Sequence, residues 1–404
     1  MVRVDPTAWW RSLGSPRFVA APMVDQSELA FRMTVRKLGA QLCYTPMLHA
    51  RIFDEVPAYR AQHFDPHPDD RPVFAQFAGH DPATVLRAAR RVQHAVDAVD
   101  LNFGCPQAIA RKGRYGAFLL DEPDTMVALV RELANGLDVP VTAKLRLYPD
   151  VRASRELCLR LQEAGAAALC VHGRTREQNK QKAGAANWEA IASLVSELDV
   201  PLIANGGIGE HADVQKCLDA TGAAAVMSSE ALLENPALFV GNRDSDGAYL
   251  DQDELARRYL DAAEEHPPGK GIAIVKGHLF KVVHNGLRQH TALREALLDA
   301  RDLAAVRDVV DRIADAGWEQ PGHSLPGGGF RSECSWYHRH RTAEAVGVQR
   351  AAERAERPPP SREEAESAAL ERRERKARAK RGKAKLRLSK HARAKARAAE
   401  HVAA

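Results

Sequence analysis

Eight short apolar runs, each followed by a stretch with helical spacing, dominate the chain. They are FVAAPM (18–23), LCYTPM (42–47), PVFAQFAG (72–79), VDAVDLNFGCP (96–106), VPVTAKLRL (139–147), ALCVHGRT (168–175), VPLIANGGI (200–208) and AAAVMSS (223–229). They are near-continuous rather than alternating, which is how strands covered on both faces read. Segments between them, such as ATVLRAARRVQHAV and RELCLRLQEAGA, carry apolar residues at helical spacing, and two of these helices stop at Gly165 and Gly222, the residue type that ends helices in the left-handed conformation. Successive runs start a few tens of residues apart, about the length of one βα unit. The pattern predicts an α/β fold, a (β/α)8 TIM barrel over 15–242. A doubly wound sheet would produce the same runs, because strand order is invisible in a sequence. The longest interval, between the fourth and fifth runs, holds most of VDLNFGCPQAIARKGRYG (99–116). In a barrel such an overgrown connection lies on the C-terminal face, where active sites are built.

The pattern changes after about residue 242. DELARRYLDAAEEHP, IAIVKGHLFKVVHNGL, ALREALLDA and DLAAVRDVVDRIADAG have helical period and no strands, so a C-terminal helical domain is expected over 250–320. Residues 1–14 read as a lead-in, 321–342 as a Gly- and His-containing connector, and 343–404 as a basic low-complexity tail. The tail lacks the apolar content to fold by itself, so a disordered segment is expected. Residues 361–404 hold 15 Lys and Arg against 6 acidic residues, whereas the first 360 hold 43 against 47, so the net charge of +5 is a property of the tail. Such a segment attracts polyanions, nucleic acid above all. No run of about 18 apolar residues exists, so no membrane span is expected. The start of the chain lacks a secretory pattern, and the six cysteines form no C-x-x-C pair, which fits a reducing compartment. A cytoplasmic and/or nuclear location and a monomer are the expectations, with KARAKRGKAK as a candidate nuclear address.

The apolar runs end on polar residues. The third ends on Gln76, the fourth on Asn102 and Cys105, the fifth on Lys144 and Arg146, the sixth on His172, Arg174 and Arg176, and the seventh on Asn205, Gly206 and Gly207. In a barrel these converge on one mouth from separate parts of the chain. The turn ANGGIGEHADVQ precedes a helix, and backbone N–H groups in such a turn cradle anions. It also matches the dinucleotide pattern through Gly207, Gly209 and Ala212, with Glu230 beyond, but it stands seventh in the series rather than opening an open sheet. A phosphate-bearing ring cofactor would lie across this mouth. Gln76 would hydrogen-bond the ring edge, Lys144 would stabilise negative charge on it, and His172 would donate to a ring carbonyl. Cys105 is placed to give up a proton, because a thiol with an ordinary pKa of about 8.5 stays mostly protonated at neutral pH.

APMVDQSELAFR, PVFAQFAG, VDLNFGCPQ, AKLRLYPD, VHGRTREQ and IANGGI together resemble the tRNA-dihydrouridine synthases. YTPMLHARIF and CPQAIARKGRYGAFL are similar to the eukaryotic branch that reduces uridines 16 and 17 of the tRNA D-loop. The resemblance covers about 15–340. It implies FMN on the C-terminal face, NADPH (or NADH) as reductant, and tRNA as partner, gripped by the helical domain. A flipped uridine would take hydride at C6, and Cys105 would protonate C5. By position, Pro22, Met23 and Val24 would contact the flavin ring with Gln76, Lys144 and His172. Asn205, Gly206 and Gly207, with Ser229 and Glu230, would line the phosphate end. Asn102 would hold the uracil, and Arg174 and Arg176 would face RNA phosphate. The connection bearing Arg111, Lys112 and Arg114 would be a yielding loop that closes on RNA. Where relatives carry Gly-Arg, this chain has Ser229 and Glu230, so Glu230 is expected to point away from phosphate.

Other features carry less. Lys276, His278 and Lys281 suggest a helix face turned to tRNA. Cys334, His338 and His340 fall short of the four ligands of a structural zinc site, so no metal is expected. A flavin barrel acting on a free pyrimidine and a non-enzymatic RNA-binding relic are the rival readings. The helical domain and tail oppose the first, and the intact Cys105, Lys144 and His172 oppose the second.

Overall fold

The computed structural model describes residues 5–179, 182–322 and 331–338, which belong to one compact unit. The expected tail lies outside the described residues, as do 323–330 and 339–342 of the expected connector. Eight parallel strands form the centre: β1 (Phe18–Ala20), β2 (Leu42–Tyr44), β3 (Val73–Ala78), β4 (Ala98–Phe103), β5 (Val141–Leu147), β6 (Ala166–Thr175), β7 (Leu202–Asn205) and β8 (Ala225–Ser228). Each pairs with the next, and β8 returns to β1 with Val226 beside Phe18, so the sheet closes into a barrel. A two-residue strand, Leu48–His49, adds to the end of β3. Closure excludes the doubly wound alternative.

Helices cover the outside: α1 (Leu29–Lys37), α2 (Ala50–Glu55), α3 (Pro82–Arg90), α4 (Pro123–Gly136), α5 (Val151–Ala164), α6 (Trp188–Val195), α7 (His211–Thr221) and α8 (Glu230–Glu234). Gly165 and Gly222 end α5 and α7 at φ of +112° and +64°, where a side chain would be strained. Alternate strand residues face opposite ways. Val99, Leu101 and Phe103 pack under the helices, whereas Ala98, Phe74, Ala168, Ile203 and Met227 fill the barrel. Asp100 and Asn102 share the inward parity of Ala98.

The lead-in is part of that filling. Helix Pro6–Ser12, capped by the Asp5 carboxylate on the N–H groups of Thr7 and Ala8, inserts Trp9 and Trp10 among the inward residues at the bottom of the barrel. Trp9 stacks on Phe74 at 5.6 Å.

Beyond the barrel, α9 (Gln252–Glu265), α10 (Ile272–Val282), α11 (His284–Gln289), α12 (Thr291–Asp299) and α13 (Leu303–Ala316) form the helical region. It is pinned to the connection after β1. The Glu28 carboxylate accepts from the Tyr259 hydroxyl at 2.8 Å and from His278 Nε2 at 3.0 Å, and Lys270 Nζ donates to Asp25. His278, expected on a tRNA-facing surface, is instead buried, stacked on Phe31 and with the Tyr259 ring tilted against it. Burial pushes the Glu28 carboxyl up, but the charge and hydrogen bond of His278 and the hydrogen bond of Tyr259 outweigh it and hold its pKa below the ordinary value. A depressed carboxyl adds stability that is present above its unfolded pKa and lost as pH falls through its folded one. Glu28→Gln is therefore expected to lower stability by about 1–3 kcal/mol at neutral pH. The gap from wild type should close below about pH 4. Urea unfolding at a series of pH values measures both, and a gap independent of pH would sink the assignment.

A last segment, 331–338, returns to the barrel. Glu234, enclosed at the end of α8, accepts from Ser335 Oγ at 2.7 Å and from the N–H groups of Trp336 and Tyr337 at 2.9 Å. Tyr337 covers Gly209 so closely that a Cβ there would lie 2.7 Å from its ring.

Candidate active site

The inward side chains of β3 to β7 meet at one mouth in two hydrogen-bonded groups, Gln76–Asp100–Asn102 and Lys144–Asn205. Gln76 is fully buried on β3, its Nε2 donating to Asp100 Oδ2 at 2.8 Å and its Oε1 accepting from Asn102 Nδ2 at 2.7 Å. Asn102 Oδ1 in turn accepts from the N–H of Gly104 at 3.2 Å and of Cys105 at 3.0 Å. The turn holding Cys105 is set by this amide and by Ala117, whose N–H donates to the Cys105 carbonyl at 3.0 Å. Gly116, at φ +69°, backs it, and a Cβ there would lie 2.6 Å from the Cys105 oxygen. The Cys105 side chain is half-buried against Ala78, Ala110 and Tyr115.

Across the mouth, Lys144 Nζ donates to Asn205 Oδ1 at 2.9 Å, and Asn205 Nδ2 donates to the Met227 carbonyl at 2.9 Å. Burial pulls the Lys144 pKa down. His172 stands beside Asn205 in the β6–β7 register. A Cβ on Gly206, at φ +98°, would come within 2.7 Å of its ring, and Gly207, at φ +83°, faces the Trp188 indole. Arg146 closes the rim, donating to the carbonyls of Gly104 at 2.8 Å, Thr175 at 2.9 Å and Gln178 at 3.1 Å. Burial and the neighbouring Arg174 bring its pKa down to about 10.

Pro22, Met23 and Val24 lie in the connection after β1, with Val24 54% exposed. Ser229 precedes α8, and Glu230 is exposed at its first position. Arg111 and Lys112 are exposed on a helix, Ala108–Gly113, and Arg114 follows it at φ +52°, paired with Glu122. The expected yielding loop is therefore a helix backed by the turn Gly116–Asp121. Arg176 is half-buried, paired with Asp121 and held over the Phe118 ring.

Arg174, expected to face RNA phosphate, is 7% exposed and donates twice to the Gly184 carbonyl, with His172 Nε2 at 3.1 Å. Lys276 closes the end of α12, donating to the carbonyls of Leu298 and Ala300. Lys281 donates to the Gly277 carbonyl and lies over the Trp336 ring, and burial brings its pKa down to about 8. In the glycine turn, the N–H groups of Gly209 and Glu210 already donate to Asp213, so an anion there would depend on the earlier glycines and the start of α8. Cys334 is buried and His340 lies outside the described residues, among which no group of metal-ligating side chains gathers. No helix among them is long and apolar enough to cross a membrane.

Asp100 was not singled out from the sequence. It accepts from Gln76 and, at 2.7 Å, from the Thr142 hydroxyl, and burial raises its pKa from 3.8 to about 6. Two-residue alternation back from Asn102 would have placed it inside. A raised carboxyl lowers stability as pH climbs through the window between its unfolded and folded values. Asp100→Asn is thus expected to raise stability by up to about 3 kcal/mol at pH 7.5, with the gain shrinking towards pH 4. Thermal unfolding across that range checks it, and a gain that grows on acidification would refute it.

The family model for dihydrouridine synthase (Dus) matches residues 19–316. The chain is 45% identical over 303 residues to the tRNA-dihydrouridine(16/17) synthase (NAD(P)(+))-like protein of Rattus norvegicus, covering 74% of this chain and 67% of that one. It is 44% identical to the Mus musculus counterpart over 74% of this chain and 62% of that protein's length. To the tRNA-dihydrouridine(16/17) synthase (NAD(P)(+)) of Saccharomyces cerevisiae it is 39% identical over 350 residues, covering 80% and 83%. With its closed barrel and the polar network at the mouth, the chain belongs to the dihydrouridine synthase family.

Proposed function

We propose that the protein reduces the C5=C6 bond of uridine in tRNA, at positions 16 and 17 of the D-loop, using NADPH or NADH through bound FMN. The observation that carries this reading is the joining of Gln76, Asn102 and Cys105 on one side of the mouth, facing Lys144, His172 and Asn205 on the other. The names of the rat and yeast relatives supply the substrate and the reductant.

The residues present fit FMN. Lys144 is a donor suited to ring carbonyls and nitrogens, and His172 can join it as either donor or acceptor, while Gln76, enclosed between Asp100 and Asn102, backs the site from within. At Gly206 a Cβ would strike His172, so the backbone beside that ring stays bare. Gly207 and the N–H groups that open α8 remain for the phosphate. When bound, FMN would supply the hydride-transfer chemistry that links the nicotinamide to pyrimidine C6. Lys144, held by Asn205, supplies positive charge beside the ring edge. Asn102 orients the pyrimidine. The Cys105 Sγ–H bond breaks as its proton passes to C5 on completion of the reduction, and solvent then reprotonates the thiolate. A stacked base cannot lie flat in a mouth at the end of a barrel, so the uridine is taken out of its stack. Arg111 and Lys112, exposed beside the mouth, meet the RNA backbone. The basic tail adds attraction independent of sequence. A cytoplasmic and/or nuclear protein acting as a monomer accords with this activity.

Mapping dihydrouridine by position in tRNA from cells lacking the protein tests the proposal. Loss at 16 and 17, restored by the wild-type gene, is expected. Unchanged tRNA would overturn it and favour a free pyrimidine as substrate.

A further inference from the structure

Glu234 is a carboxylate enclosed at the end of α8 that the proposed chemistry leaves unused. Its three donors, Ser335 Oγ and the N–H groups of Trp336 and Tyr337, lie 101 to 103 residues further along the chain. A buried carboxylate needs such donors to offset its loss of water, and a backbone N–H can only donate. Ser335 Oγ also accepts from the His338 N–H at 3.1 Å, so residues 335–338 are wrapped around one side chain. Residues 335–337 belong to no helix or strand. This carboxylate gives them their shape.

The two elements that Glu234 joins both lead to the phosphate end of the mouth. α8 begins at Glu230, directly after β8 and Ser229. The segment carries Tyr337 onto the turn after β7, where a Cβ on Gly209 would lie 2.7 Å from the Tyr337 ring and 3.2 Å from His338 Nε2. Gly206 and Gly207 take left-handed φ values, but Gly209 does not. Room for Tyr337, rather than backbone freedom, is therefore what a side chain at Gly209 would violate. The same turn is tied to β8 by Ser228 Oγ, which donates to the Ile208 carbonyl at 3.3 Å. It is thus held twice to the β8 side of the barrel, by Ser228 directly and by Glu234 through Tyr337. The loops after the seventh and eighth strands are where barrels of this kind often place phosphate.

We propose that Glu234 is a positioning residue of the cofactor site. By ordering 335–337 it holds Tyr337 on Gly209, and so fixes the turn after β7 against the connection after β8 at the separation a flavin phosphate requires. The segment 335–338 is then part of the cofactor site, although it follows the helical region in the chain. This inference rests on the proposed reading of FMN at the mouth and deepens it. Its consequence is selective. Loosening these two connections weakens contacts to the phosphate and spares those to the ring. Affinity for FMN therefore falls, while affinity for riboflavin, which has the ring and lacks the phosphate, stays.

The test titrates flavin-free full-length protein with FMN and with riboflavin, followed by flavin fluorescence. The parent is expected to prefer FMN by about 100-fold or more, the effect of two hydrogen bonds to a charged group. Glu234→Gln sets an amide nitrogen where an acceptor is needed, and should bring the preference to about tenfold or less, chiefly by weakening FMN. Tyr337→Ala keeps the carboxylate but takes the ring off Gly209. It should do the same, and it stands in if Glu234→Gln fails to fold. Glu28→Gln loosens the helical region elsewhere and should leave the preference at the parent value. A preference kept in both Glu234→Gln and Tyr337→Ala, or lost equally in Glu28→Gln, overturns the proposal. A parent that binds neither flavin, or binds FMN no better than riboflavin, counts against the proposed function itself. Hydrogen exchange in the flavin-free protein then decides for Glu234. Faster exchange in Glu234→Gln at the amides of Gly209 and Glu210, which donate to Asp213, upholds its hold on the turn, and unchanged exchange overturns it.

Discussion

Cys105→Ala is expected to lower dihydrouridine formation by about 10²- to 10⁴-fold, the contribution typical of a positioned acid. Reduction of bound flavin by NADPH should be unchanged. The separation is possible because the thiol does not hold its own turn in place. Asn102 Oδ1 accepts from the Cys105 N–H, Ala117 donates to its carbonyl, and Gly116 packs behind it. Removing the thiol therefore leaves the backbone and the opposing Lys144–Asn205 pair where they are. Cys105→Ser should also be poor, since an aliphatic hydroxyl is a far weaker acid than a thiol. Rapid mixing of prereduced enzyme with tRNA, alongside a separate measurement of flavin reduction, distinguishes the two halves. If product forms at the wild-type rate in the Ala variant, the proton comes from elsewhere.

The largest effect on stability is expected far from the mouth, at Trp9. Trp9→Ala should cost about 3–5 kcal/mol, as loss of a large enclosed aromatic side chain does. Trp9 is 8% exposed and stacks on Phe74. Phe74 precedes Gln76 by two residues on β3, so the plug bears on the strand that carries the amide chain. Opening the bottom of the barrel would leave a cavity lined by Phe74, Leu42 and Ala98, residues of the same apolar cluster. Trp9→Phe, which keeps a ring against Phe74, should recover most of the loss. Urea unfolding measures both variants. A loss under about 1 kcal/mol for Trp9→Ala would mean that helix Pro6–Ser12 is a detachable appendage.

The N-terminal helix takes its place from the barrel and not from its own residues. PTAWWRS is too short for a periodic signal, and nothing local says that both indoles will be enclosed; only a barrel with an open lower end provides the place. The connection after Cys105 is more ordered than its composition suggests. Its glycines and basic residues suggested a yielding loop, yet Ala108–Gly113 is helical and Gly116 is spent on close packing against Cys105. Arg174 looked like a free cation at a strand end, but parity on β6 turns it inward to the Gly184 carbonyl. His278 and Lys276 likewise satisfy partners within the protein, Glu28 and the last carbonyls of α12.

The amino-acid sequence by itself determined the eight strands, their alternation with helices, the stops at Gly165 and Gly222, and the polar residues at strand ends. These depend on local properties: apolar periodicity, backbone freedom and the order of residues along the chain. Tertiary structure alone decided which of those polar groups meet. Asp100 with Thr142, Gln76 with Asn102, and Lys144 with Asn205 are pairs 42, 26 and 61 residues apart. Their meeting follows from barrel closure and parallel register, and a shift of one residue in either strand would turn each pair to opposite faces.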